Sequence, residues 1–167
     1  MQTWLKETVD IARAVDPTRP IISNDGWEHI DSDIMTFHSY EHDAEALKKD
    51  WEKARRNEPC GIHNRAFSLN EKDITELPWV LSEFGAITYF ENRDGLGHWG
   101  YGDAAESRNT LLRYFRRLME SASSLDGVTG WCYTQFADVE KEKNGLLFAD
   151  RTPKVELSEI REIIESI

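Results

Sequence analysis

The chain has 167 residues, enough for one domain of ordinary size, and its 40% hydrophobic and 31% charged residues predict a packed core rather than disorder. A formal charge of −11 at pH 7 argues against nucleic acid or an anionic lipid surface as a partner, because phosphates would be repelled. No run of about 18 apolar residues is present to span a membrane, and the opening Met1-Gln2-Thr3-Trp4-Leu5-Lys6-Glu7 lacks the basic and apolar regions of a secretory signal.

In chain order, Trp4, Leu5, Thr8, Val9, Ile11, Ala12 and Val15 recur at helical spacing. Asp16-Pro17-Thr18-Arg19-Pro20 ends that helix, since proline disfavours the helical region for the residue before it. Ile21-Ile22-Ser23 predicts a short buried strand, and Asn24-Asp25-Gly26 is turn chemistry. Residues 34–40 predict a second strand. Asp43 caps a polar helix to about Asn57, with Leu47, Trp51 and Ala54 on its inner side. Residues 58–77 show no period, and a loop of that length is more often functional than idle. Trp79 to Gly85 is the cleanest strand. Residues 91–102 form a loop rich in glycine and aromatic rings, including Trp99 and Tyr101. Asp103 then caps a long helix to about Ser124. Residues 127–135 predict a fourth strand, and residues 156–165 a final short helix. The acidic run from Asp138 to Glu142 reads as a solvated loop.

Strands alternating with helices predict an α/β fold with a parallel sheet built from βαβ units. One connection fits poorly: the stretch from Ser23 to Ile34 is short for a crossover between parallel strands. Cys60 and Cys132 are isolated and read as two reduced thiols. Six tryptophans, five tyrosines and seven phenylalanines supply rings that fill cores and also form platforms for sugar faces.

In parallel α/β folds, ligands bind beyond the carboxyl ends of the strands. Those ends carry Asn24, Asp25 and Trp27; His38, Tyr40 and His42; Glu83; and Trp131, Tyr133 and Gln135. Glu83 stands out, because a carboxylate late in an apolar strand is costly to bury unless it is used or paired. Composition alone leaves a catalytic Glu83 and a structural one paired to arginine or backbone amides on equal terms. His29, His38 and His42 are spaced nine and four apart; the His38/His42 pair would suit a metal site on a helix face, but His38 falls on a strand, and no phosphate-binding glycine loop is present. The sequence therefore calls for neither a metal nor a cofactor.

Four segments together resemble the catalytic domain of family 2 glycoside hydrolases, the β-galactosidase and β-glucuronidase group. Pro78-Trp79-Val80-Leu81-Ser82-Glu83-Phe84-Gly85-Ala86 resembles the nucleophile segment. Asp16 to Glu28 resembles the strand 5 region, and Ser32-Asp33-Ile34 through His38-Ser39-Tyr40 resembles strand 6. Gly130-Trp131, Asp138-Val139-Glu140, Asn144-Gly145-Leu146, Asp150-Arg151 and Lys154 resemble strand 8 and its following loop. The resemblance runs in register over nearly the whole chain.

The resemblance implies a partial (β/α)8 TIM barrel, approximately strands 5–8 with their helices, over residues 1–167. It implies that the first half of the barrel and the β-sandwich domains of the family lie outside this chain. The implied parent reaction is retaining hydrolysis of a terminal β-glycoside. Glu83 would be the nucleophile and Tyr40 the tyrosine that hydrogen-bonds and tunes it. Trp131 would floor the sugar site, and His38, Asn24 and Asp25 would read sugar hydroxyls. The family's acid/base glutamate follows an asparagine at the end of strand 4. Asn70-Glu71 lies between strands 6 and 7 and does not fit that position, so the chain is expected to be inactive alone. Open half-barrel edges predict a dimer or higher oligomer. Two rival readings are a non-catalytic carbohydrate-binding or assembly module and a barrel glycosidase of another family in the same clan.

Overall fold

The computed structural model describes residues 2–60, 64–70, 73–89 and 104–167. Seven elements run in the order α1 (Gln2–Val15), β1 (Met35–Ser39), α2 (Ala44–Arg55), β2 (Trp79–Gly85), α3 (Arg108–Ser123), β3 (Val128–Thr134) and α4 (Leu157–Glu165). The three strands form one parallel sheet in the order β1-β2-β3, so each neighbouring pair is joined by a helix as the alternating pattern predicts. Strands β1 and β3 are the edges of this sheet among the described residues. The predicted loop at 91–102, with Trp99 and Tyr101, lies outside the described residues, as do Glu71 and the predicted cap Asp103.

The expected strand at Ile21-Ile22-Ser23 does not form. The amide of Ile21 donates to Asp33 Oδ2 at 2.8 Å, and that of Ser23 donates to Ser32 Oγ at 2.9 Å. These amides are thus taken by side chains of the following turn rather than by a neighbouring strand. Arg13 secures the turn with a two-pronged contact to Asp33 at 2.8 and 2.9 Å. The short connection from Ser23 to Ile34 is therefore a turn and not a crossover. Ile22 is left 46% exposed.

By their contacts the residues group into two compact units. The first comprises Met1–Ser39, Lys49–Glu83 and Asp126–Cys132; the second comprises Tyr40–Lys48, Phe84–Leu125 and Tyr133–Ile167. The core of the first unit is a set of large rings. Phe37 stacks on Trp51 at 5.2 Å, and Trp79 meets Trp51 and Phe67 edge-on at 5.3 and 5.9 Å. The indole N–H groups, which would be costly to bury unpaired, donate to backbone carbonyls: Trp51 to Asp126 and Trp79 to Ile74, each at 3.0 Å.

In the second unit α3 packs on α4. Helix α3 buries Leu111, Phe115, Leu118, Met119 and Ala122, the spacing of one helical face. Ser107 caps it, accepting the amide of Thr110 at 3.1 Å. Phe84 and Phe115 meet the Tyr133 ring edge-on at 5.7 and 5.1 Å. That ring occupies the space a side chain at Gly85 would fill, and Gly85 has φ +101°, so only glycine fits there.

The acidic run from Asp138 is not wholly solvated. Asp138 is 6% exposed and Lys154 is fully buried. Lys154 Nζ donates to Asp138 Oδ1 at 2.7 Å and to the carbonyls of Tyr89 and Lys143 at 3.0 Å each. Burial lowers the Lys154 pKa, and Asp138 opposes that shift. Removing one partner of such a pair leaves a buried charge uncompensated. Lys154→Met should therefore destabilise the chain by about 3–5 kcal/mol in urea denaturation; a loss under about 1 kcal/mol would show that the pair does not hold this unit together.

Candidate active site

Glu83 is the fifth residue of β2, and His38 is the fourth of the five in β1. Both lie near the carboxyl ends of neighbouring parallel strands, where α/β folds place ligand sites. Asp25 reaches the same place from the turn before β1. These three side chains belong to the first unit, and each offers an atom within 4.8 Å of one from each of the other two.

The imidazole stands between the two carboxylates. His38 Nδ1 lies 3.3 Å from Glu83 Oε2, and Nε2 lies 3.2 Å from Asp25 Oδ2. The Nε2 atom is buried and makes no in-line hydrogen bond to Asp25. The histidine is 11% exposed at its side chain, against 36% for Glu83 and 54% for Asp25. The glutamate is thus the more sheltered acid, yet it remains open to solvent.

Several neighbours hold this arrangement. The Trp27 ring meets the imidazole edge-on at 4.9 Å and 74°. Gly26, at φ +82°, passes so close that a Cβ there would fall 2.7 Å from His38 Nε2. The Gly26 amide donates to Thr36 Oγ1 at 2.7 Å, and the Ser82 hydroxyl donates to Asp25 Oδ1 at 2.6 Å. The adjacent imidazole, together with hydrogen bonds from Ser82 and Thr36, holds the Asp25 carboxyl well below the usual carboxylate range, against the opposing effect of burial. Asp25 is thus ionised at neutral pH.

The three ligand types could in principle hold a cation. The ring, however, already engages a different carboxylate at each nitrogen, so a metal would have to displace one of these contacts. The arrangement matches a bridged acid pair better than a metal centre.

Of the sequence-predicted site residues, Asp25, His38 and Glu83 come together. Asn24 is half-buried, and its amide donates to the Trp27 carbonyl at 2.7 Å, closing the turn that carries Asp25. Trp131 is half-buried on β3 in the first unit. Tyr40 belongs to the second unit, where it lines a cleft of about 450 Å3 with Tyr114, Arg117 and Leu118. The sequence did not single out Ser82, Gly26 or Thr36. Two of these directly adjoin predicted site residues: Gly26 follows Asp25, and Ser82 precedes Glu83.

No protein-family model matches the chain, and no curated protein sequence matches it. Solved structures do. A GH2 β-galacturonidase from Eisenbergiella tayi superposes with a TM-score of 0.69 at 15% identity, covering 99% of this chain and 30% of its own. The fold is that of part of a glycoside hydrolase family 2 chain. A β-glucuronidase from Bifidobacterium dentium, solved with coumarin-3-O-glucuronide, gives 0.63 at 19% identity, covering 99% of this chain and 27% of its own. A β-D-glucuronidase from Dictyoglomus thermophilum gives 0.61 at 19%, with 99% and 28% coverage. The chain thus spans under a third of the length of these β-glycosidases.

Two outcomes follow from the site's geometry. Gly26→Ala places a methyl group against the imidazole at a positive φ, and should destabilise the chain by more than about 1 kcal/mol; a neutral result in urea denaturation would contradict the close approach. Because folding depresses the Asp25 pKa, its stabilising contribution is present above the ordinary value of 3.8 and is lost as pH falls through the folded-state value. The gap in unfolding midpoint between the parent chain and Asp25→Asn should therefore shrink below pH 3.8, and a gap constant from pH 7 to pH 3 would contradict this.

Proposed function

We propose that this chain is the C-terminal half of a family 2 catalytic barrel, approximately strands 5–8, and that it carries the nucleophile of a retaining β-glycosidase. The observation that carries the reading is the Glu83 carboxylate near the carboxyl end of β2, half open to solvent and contacted by His38, in a chain with this fold.

In the proposed reaction a Glu83 oxygen attacks the anomeric carbon of a terminal β-linked sugar. The bond to the leaving oxygen breaks, and that oxygen takes a proton from a second carboxyl group. Water then releases the sugar from the glycosyl ester. Retaining enzymes hold the two carboxyl groups about 5–5.5 Å apart. Asp25 is close enough to suggest itself as the second group, but its hydrogen bonds and His38 keep it ionised, whereas a proton donor needs a raised pKa. We therefore place the donor on a glutamate outside residues 1–167. Tyr40 is assigned to tuning the nucleophile, Trp131 to the floor of the sugar site, and Asn24 to its rim. The neighbours are a β-galacturonidase and β-glucuronidases, one of them solved with coumarin-3-O-glucuronide, which makes uronosides natural first substrates to try alongside galactosides.

The decisive probe is a 2-deoxy-2-fluoroglycosyl fluoride. Fluoride leaves without a proton donor, so labelling needs only the nucleophile. Incubation of the chain with the galactosyl, glucosyl and glucuronosyl compounds should add one sugar to the intact mass, with peptide mapping placing it on Glu83 and Glu83→Gln abolishing it. Binding without a covalent adduct would instead favour a carbohydrate-binding module. With chromogenic β-galactoside and β-glucuronide the chain alone should show no turnover; turnover lost in Glu83→Gln would show that the proton donor lies within it.

The chain is also proposed to self-associate. Strands β1 and β3 are open edges of the described sheet, and α1 exposes Trp4 (67%), Ile11 (65%) and Val15 (80%) along one side. Light scattering at micromolar concentration should report a dimer or larger species, and a stable monomer would contradict this.

A further inference from the structure

The sequence marks His38 and Asp25 as readers of sugar hydroxyls. Their geometry assigns them a different task. His38 has one nitrogen 3.3 Å from Glu83 and the other 3.2 Å from Asp25, so each polar atom of the ring lies beside a carboxylate. The ring is also confined by the Trp27 edge at 4.9 Å and by the Gly26 backbone, which leaves no space for a side chain there. Asp25 is fixed in turn by Ser82 at 2.6 Å. The two anchors of the chain Ser82–Asp25–His38–Glu83 are consecutive residues of β2, so the whole arrangement is a closed loop on one strand.

We propose that His38 and Asp25 are positioning residues that orient the Glu83 carboxylate for attack. The inference rests on the reading of Glu83 as the nucleophile. With a proton on Nδ1, the imidazole donates to Oε2 and stops rotation of the carboxylate. Oε1 is then the oxygen presented to the anomeric carbon. When Nε2 is protonated as well, the Asp25 carboxylate opposite it holds the ring in place from its far side. Orientation of this kind matters because a misplacement of about 1 Å can cost about a hundredfold in rate. No proton leaves the trio during attack: the carbon–leaving-group bond breaks as the Glu83–carbon bond forms, and the hydrogen bond from His38 only holds the second oxygen.

The test follows the rate of covalent labelling by the fluoroglycosyl fluoride that reacts fastest with the parent chain, over a range of concentrations, with urea denaturation to confirm folding of each variant. His38→Leu should lower the saturating labelling rate roughly tenfold or more, with the half-saturating concentration unchanged. His38→Asn, whose amide can donate at a position near Nδ1, should recover much of the rate. Asp25→Asn leaves the ring packing in place and should also slow labelling, which keeps the test valid if His38→Leu does not fold. Equal rates in the parent, His38→Leu and Asp25→Asn would overturn the inference while leaving Glu83 as nucleophile. A His38→Asn as slow as His38→Leu would reduce the histidine to packing and overturn it too. A raised half-saturating concentration with an unchanged rate would return both residues to sugar binding. Absence of labelling in the parent chain would overturn the reading of Glu83 and the inference with it.

Discussion

Two carboxylates that face each other within 4.8 Å repel unless something between them answers their charge. In this protein the imidazole of His38 stands between them, with one nitrogen toward each acid, and answers their charge when it is protonated. The rest of the local structure serves that placement. Gly26 lacks a side chain where the ring must pass, Thr36 holds the Gly26 amide, and Ser82 ties Asp25 back to the strand that carries Glu83. The packed rings of Phe37, Trp51, Trp79 and Phe67 form the core of the unit that also holds His38 and Glu83.

The helices and the three strands were legible because their signals are local. The apolar face of α3 repeats every three or four residues, and β2 opens on the apolar run Trp79-Val80-Leu81 and closes on a glycine at φ +101°. The strand read at Ile21-Ile22-Ser23 failed for a reason local pattern does not carry. Two β-branched residues look like a buried strand, but the side chains of Ser32 and Asp33 capture the amides first. The acidic run at Asp138 misleads in the opposite sense. It reads as solvated, and only a fold that brings residues 16 apart together buries Asp138 against Lys154.

At the site, the types of residue were readable and their relations were not. Glu83 was conspicuous as an acid late in an apolar strand. Asp25 and His38 were noted, but nothing in the sequence says that one ring would touch both acids. Gly26 and Ser82 gave only the weak signal of adjoining a candidate residue. Tyr40 and Trp131 are legible as strand-end residues, but their roles come through family resemblance alone, and the structure places them in different compact units.

At 15–19% identity the fold shared with GH2 chains speaks only for the arrangement of the backbone. The chemical claim rests on Glu83. A crystal structure of the chain after reaction with a 2-deoxy-2-fluoroglycosyl fluoride tests it most directly. The account predicts continuous density from Glu83 to the anomeric carbon, with His38 beside the carboxyl group. Density joining the sugar to any other side chain, or an unmodified Glu83 turned away from a bound sugar, would contradict it.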